Sequence, residues 1–176
     1  NMCRFNDLID HAENAGVRIV NMSMGSYSQD DWTCFHDGAK QHPHILFVIS
    51  AGNDGFDIDV NPVFPASFDL ENIVVVTSSD VFGRLPPQSN YGRVSVDLMV
   101  PAEQVDVFDH RGVFTTASGS SFAAPRVAAL AARFLKKNVE ASTADIIAFL
   151  KSRAINSGST PVRFGWIPDP SDDFKL

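Results

Sequence analysis

The chain reads as an α/β fold, a parallel β-sheet flanked by helices on both faces in a three-layer sandwich. Three observations predict it. Phe5, Leu8, Ile9 and Ala12 recur at helical spacing and lead, past Gly16, into a strand-like run from Val17 to Met22. Two short runs, Ile45–Ser50 and Ile73–Ser78, are almost wholly apolar, the pattern of strands covered on both faces. Helical and strand-like stretches alternate, as βα units do when they build a parallel sheet.

In order, Arg4–Ala15 is an amphipathic helix stopped by Gly16, a residue suited to the left-handed conformation that ends helices. Val17–Met22 is a strand. Ser28–Asp31 offers caps for a second helix through Trp32, Phe35, Ala39 and Lys40, which His42-Pro43 ends because the residue before a proline disfavours helical backbone. Ile45–Ser50 follows as a strand, then a long loop over Gly55–Leu70 with Pro62 and Pro65. Ile73–Ser78 is a buried strand, Asp80–Arg84 a turn, Val94–Val100 a strand and Val105–Ala117 a hairpin. A helix runs from Ser121 to about Lys137, with Lys136 and Lys137 at the negative end of its dipole. The last helix starts at Ser142-Thr143-Ala144-Asp145, a capping-box-like start, and buries Ile146, Ile147, Phe149 and Leu150. Residues 1–157 form the body of the domain. Residues 158–176, with Pro161, Pro168 and Pro170, read as a surface extension packing on or trailing from it.

A length of 176 residues fits one domain with an adequate core, and 44% hydrophobic with 20% charged residues is ordinary for a globular chain. The net charge of −7 argues against nucleic acid, which asks for a basic face. No apolar run is long enough to cross a membrane. The two cysteines, Cys3 and Cys34, have neither metal-ligand spacing nor the density of a disulfide scaffold. Two free or buried thiols are expected, a disulfide being the alternative. No cofactor motif and no metal-ligand spacing is found.

Chemistry concentrates in Ser118-Gly119-Ser120-Ser121-Phe122-Ala123-Ala124-Pro125. A tight Gly/Ser turn delivers the Ser121 hydroxyl to the first turn of an Ala-rich helix, where amide hydrogens lack partners and the dipole favours negative charge. A nucleophile there attacks beside ready-made anion stabilisation. Taken alone, the stretch reads first as an ordinary Ser N-cap on a buried Ala/Leu helix. Pro125 is tolerable in a first turn, where its missing N–H would have had no partner. The second stretch is Ala51-Gly52-Asn53-Asp54-Gly55, directly after the Ile45–Ser50 strand. An Asn at the carboxyl end of a buried strand sits where open α/β sheets place ligands, although Asn-Asp-Gly is also a common turn.

With Asn21-Met22-Ser23-Met24-Gly25, these segments resemble the subtilisin-like serine proteases, the subtilases. Gly119-Ser120-Ser121-Phe122-Ala123-Ala124-Pro125 is similar to the family's G-T-S-x-A-x-P, Ala51-Gly52-Asn53 to its A-G-N, and Asn21–Gly25 to its N-x-S-x-G, in the family's order. Softer agreement runs through Phe64-Pro65-Ala66-Ser67, Ser89-Asn90-Tyr91-Gly92 and Val96–Ala102. The resemblance implies acyl transfer by Ser121, an oxyanion held by the Asn53 side-chain amide and the Ser121 backbone N–H, and a peptide or protein substrate pairing along Ser23-Met24-Gly25. It also implies that Ala51 and Gly52 line the specificity pocket, that Phe64-Pro65 is cis, that structural calcium is admissible with ligands unidentified, and that an exported or extracellular location is favoured. Two departures stand out: Ser120 in place of Thr, and Phe122 where Met is common.

The family's Asp, in a D-x-G context, and its His, in an H-G-T context, do not occur in the sequence. The chain therefore reads as the C-terminal part of a subtilase catalytic domain, inactive by itself, with the N-terminal part of its own domain as a partner. His11 and His36 fall on predicted helices, His42 and His44 flank Pro43 as cap and turn residues, and His110 beside Asp109 is the one internal candidate base. Three other readings compete. A lipase-type G-x-S-x-G elbow would need a His after the nucleophile, and none follows Ser121. A pseudo-protease that binds peptides would need neither Ser121 nor Asn53. A small-ligand domain would carry a glycine-rich phosphate motif, which is absent.

Overall fold

The computed structural model describes residues 4–171. Its elements are α1 (Arg4–Asn14), β1 (Ile19–Met22), a 3-10 turn (Asp30–Trp32), α2 (Thr33–Gln41), β2 (Leu46–Ser50), β3 (Ile73–Ser79), β4 (Leu98–Pro101), β5 (Val105–Phe108), β6 (Phe114–Ala117), α3 (Ser120–Lys137), α4 (Thr143–Arg153) and β7 (Gly165–Trp166). Five strands form one parallel sheet in the order β1-β2-β3-β4-β7, and β5 and β6 pair as a separate antiparallel hairpin.

Helices cover both faces, which explains why β2 is apolar at every position but its last. Leu46 and Val48 face α3 and α4 in a cluster with Val74, Val76, Leu98, Val127, Leu130 and Ile146. Phe47 and Ile49 face α1 and α2 in a cluster with Trp32, Phe35, Val75 and Met99. Phe35 stands edge-on to Phe47 at 5.2 Å, and Phe5 of α1 packs against both Trp32 and Phe35. Such side chains each contribute about 1.5–3 kcal/mol by leaving water. α4 starts with the expected reciprocal cap: Asp145 N–H donates to Ser142 Oγ, and Ser142 N–H to the Asp145 carboxylate.

Three expectations change. The strand read as Val94–Val100 is ordered as β4 only from Leu98, because Asp59 takes the Val94 and Ser95 amides at 3.0 and 2.8 Å before they can join a ladder. The residues after Ser157, read as an extension packing on or trailing from the domain, enter the sheet itself: they contribute β7 beside β4 and bury Val162 and Ile167. Cys34 is disulfide-bonded, so the expectation of free thiols does not hold for it; Cys3 lies outside the described residues. The Phe64–Pro65 peptide is cis, as the resemblance implies.

Candidate active site

At the carboxyl end of the sheet, the connection after β2 meets the start of α3. Ser120 begins that helix and Gly119 precedes it with φ +127°. A Cβ at Gly119 would lie 2.8 Å from Asn53 Oδ1, so the absence of a side chain there lets Asn53 lie against the helix start. Ser120 donates to Asn53 Oδ1 twice, from its backbone N–H at 2.8 Å and from its hydroxyl at 3.0 Å, while Ser120 Oγ accepts the Gly52 N–H at 3.1 Å. A backbone N–H can only meet an acceptor, so these contacts fix which end of the Asn53 amide faces the helix. Its Nδ2 donors are turned away and have no protein partner among the described residues. The helix's first backbone bonds come from Phe122 and Ala123 to Gly119 O, leaving the Ser121 N–H unpaired among the described residues. Ser121 itself is half-buried and Asn53 exposed.

Pro125 has a role that sequence reasoning missed. It is the sixth residue of α3, so it lies beyond the first turn, where the sequence reading placed it. An N–H at that position would bond the carbonyl of residue i−4, which is Ser121. With proline there, the Ser121 carbonyl instead accepts the Ser23 hydroxyl at 2.9 Å, and Asn21 Nδ2 lies 3.2 Å from the same hydroxyl. The segment after β1 is thereby fastened to the residue carrying the candidate nucleophile. Beyond Ser23, Met24 and Gly25 are exposed, and Ser26 pairs antiparallel with Phe64 through two bonds of 2.8 Å. A Cβ at Gly25 would lie 2.9 Å from Phe64 O.

Asn90 organises the loop that carries Asn53. It is fully buried, its Nδ2 donates to Ala51 O at 2.9 Å, and its Oδ1 accepts the Asp54 and Phe56 amides at 3.0 and 2.9 Å. Gly52, at φ +99°, leaves room for that amide: a Cβ would meet Asn90 Nδ2 at 2.5 Å. The signal was Asn90 within Ser89-Asn90-Tyr91-Gly92, which pattern alone could not tie to a loop almost forty residues earlier.

The structure brings Ser23, Gly52, Asn53, Ser120 and Ser121 together, with Ala51 buried beneath them. It brings none of the histidines to Ser121 by a hydrogen bond among the described residues. His11 is exposed on α1, and His36 packs on Phe68 at 4.9 Å beside Asp37. His42 and His44 contact Asp10 and Glu13. His110 sits exposed in the β5–β6 turn. The neighbouring Asp109 carboxyl is held below the usual carboxylate range by the Val113 and Arg111 amides and also pairs with the Arg111 side chain, so it does not orient His110.

The resemblance admits calcium, which favours a cage of six to eight oxygens. Among the described residues, the group of potential ligands that converges is Glu13, His42 and His44. Two of its three donors are imidazole nitrogens, a set that does not fit calcium.

The class defined by fold and site is an α/β protein presenting a serine hydroxyl at a helix N-terminus, at the carboxyl end of a parallel sheet. The family model of the subtilases matches residues 4–166. Alkaline elastase YaB of Bacillus sp. (strain YaB) is 30% identical over 154 residues, covering 88% of this chain and 39% of that protein. Subtilisin BL of Lederbergia lenta is 28% identical over 152 residues, covering 86% of this chain and 54% of that protein. Subtilisin-like protease 1 of Plasmodium berghei is 26% identical, covering 90% of this chain and 29% of that protein. Among solved structures, a cold adapted subtilisin-like serine proteinase superposes with a TM-score of 0.78 at 28% identity, covering 96% of this chain and 61% of that one. The self-cleaved protease domain of PatA superposes with a TM-score of 0.77 at 25% identity, covering 95% of this chain and 64% of that one. The chain belongs to the subtilase family, the subtilisin-like serine proteases. It spans 29–54% of the length of these curated relatives.

Proposed function

We propose that this chain carries the nucleophile and oxyanion hole of a serine endopeptidase. The observation that supports this best is the pair of unspent donors beside the hydroxyl: Asn53 Nδ2 and the Ser121 N–H have no protein partner among the described residues, and the two bonds from Ser120 fix the Asn53 amide. Ser121 Oγ attacks the scissile carbonyl as a base accepts its proton. The carbonyl oxygen becomes an anion between the two donors, the amine leaves with a proton returned by the base, and water then releases the acyl group from Ser121.

The substrate backbone pairs as an added strand along Ser23-Met24-Gly25, a mode that takes its affinity from main-chain bonds and its selectivity from pockets. Met24 and Gly25 are exposed, which supports that docking. Ala51 and Gly52 form one wall of the specificity pocket. The base is a histidine supplied by sequence outside these 176 residues, in the family's H-G-T context and oriented by the D-x-G aspartate. Without them Ser121 is a weak nucleophile, and the 176 residues alone are inactive. Structural residues in 1–157 and the strand-bearing segment from 158 belong to one catalytic unit. No helix among the described residues is long and apolar enough to cross a membrane, and family resemblance favours an exported, extracellular protein.

The test is kinetic. In the longest natural form of the protein, Asn53→Ala should lower kcat for a peptide anilide about 10²–10³-fold with little change in KM, the cost of losing an oxyanion-hole donor in a subtilisin. A loss confined to KM, or no peptidase activity in the folded parent, would move the reading to a peptide-binding pseudo-protease.

A further inference from the structure

We propose a transition-metal site, suited to Zn2+, built by Glu13, His42 and His44 at the end of the sheet opposite Asn53. Glu13 lies in the last turn of α1, His42 caps α2 and His44 precedes β2. The Glu13 carboxylate bridges the two rings, with Oε2 2.6 Å from His42 Nδ1 and Oε1 2.9 Å from His44 Nε2. One ligand atom from each residue lies within 4.8 Å of the others.

Two further observations point to a cation at this place. His42 Nδ1 is buried and, though close to Glu13, makes no hydrogen bond of acceptable geometry. A ring nitrogen this close to a carboxylate oxygen needs a positive charge between them, a ring proton or a metal ion. The other nitrogen of the same ring, Nε2, lies 2.9 Å from Asp10 Oδ1. With a metal ion on Nδ1, that carboxylate would accept the hydrogen bond of the Nε2 proton, the arrangement by which a neighbouring carboxylate orients a metal-binding histidine.

The backbone holds the ligands ready. Asn72 Nδ2 lies 2.9–3.1 Å from the carbonyls of Ala39, His42 and Ile45, and Arg18 Nε donates to His44 O at 3.3 Å. At Gly38 a Cβ would lie 2.6 Å from Asn6 Oδ1, so the missing side chain permits the close approach of α1 and α2 that brings Glu13 to His42.

Two imidazoles and one carboxylate select a borderline first-row divalent ion over calcium or magnesium. Bonds of about 2.0–2.1 Å in a tetrahedral site place donors about 3.3 Å apart, so the 2.6 and 2.9 Å contacts open by roughly 0.7 and 0.4 Å, which the half-exposed Glu13 and His44 side chains can supply. Water fills the fourth position. The ion would clamp α1 to the α2–β2 connection, and its effect is on stability rather than on Ser121.

The experiment uses the longest natural form, untagged and stripped with a chelator, titrated with Zn2+ against a chromophoric competitor. The site predicts one equivalent that His44→Ala removes, an affinity loss of about 10–100-fold in Asp10→Asn, and no competition from Ca2+. Saturation at a hundredfold excess over Kd should raise Tm by about 2–5 °C in a protein of that length. Co2+ in its place should give the visible bands of a four-coordinate site. His44 is exposed, so its variant leaves the fold intact. Zn2+ bound equally by parent and His44→Ala, or not bound by the parent, would overturn the proposal and leave an ion-pair cluster.

Discussion

Ser23→Ala tests the link between Pro125 and Ser121 through a partner substitution chosen from helix geometry. The Ser23 hydroxyl donates to the Ser121 carbonyl at 2.9 Å, and Pro125 supplies no N–H to replace it. Removing the hydroxyl loses a bond worth about 1 kcal/mol net and leaves a partly buried carbonyl short of a donor, at about 1 kcal/mol more. The expected loss is about 2 kcal/mol, a fall in Tm of about 4–8 °C for a chain of this size. Pro125→Ala restores an N–H at the i+4 position of Ser121 and so supplies that carbonyl from within α3. In that background Ser23→Ala should cost under about 0.5 kcal/mol. The coupling in the double-mutant cycle should therefore be about 1.5 kcal/mol, read from urea midpoints of the four proteins with equal m-values. Additivity within about 0.3 kcal/mol would refute the reasoning, because it would mean that the Ser121 carbonyl does not depend on Ser23.

Two other expectations follow from single side chains. Ser120→Ala removes a donor to Asn53 Oδ1 and strands the Gly52 N–H; stability should fall by about 2–3 kcal/mol and kcat by about tenfold or more, while Ser120→Thr keeps both, as thermal melts and peptide hydrolysis will show. Asp97 is buried with its carboxyl pushed up to about 6 by desolvation, against the Val75 N–H and Arg163, which pull it down. Its folded form therefore holds a proton that the unfolded chain releases near 3.8. Stability from this group is complete below about pH 4 and is lost as pH rises to about 6, by about 3 kcal/mol. Asp97→Asn should lack that slope in urea midpoints between pH 4 and 7, and an unchanged slope would assign the effect elsewhere.

The parts legible in the sequence were those written in local pattern. The apolar β2 and β3 runs declared strands covered on both faces, and Ser142 with Asp145 declared the start of α4. The Gly119–Pro125 and Ala51–Asn53 stretches marked the place where the helix start and the strand end meet. What stayed hidden depends on pairing across distance. β7 is two residues long between prolines, so only its place beside β4 makes it a strand. β4 is shortened by a carboxylate from Asp59, nearly forty residues earlier. Ser120 read as a mild departure from Thr, yet its hydroxyl joins Gly52 to Asn53. Glu13 and the two histidines come from two helix ends some thirty residues apart, and no spacing rule links them.

The central claim is that Ser121 is the nucleophile. Its most direct measurement is labelling by a fluorophosphonate probe, read by intact mass and peptide mapping, on the longest natural form and on the 176-residue chain. One adduct on Ser121 of the long form, absent in Ser121→Ala and absent from the short chain, is the predicted result. No adduct on a folded long form, or an adduct that survives Ser121→Ala, would contradict the account.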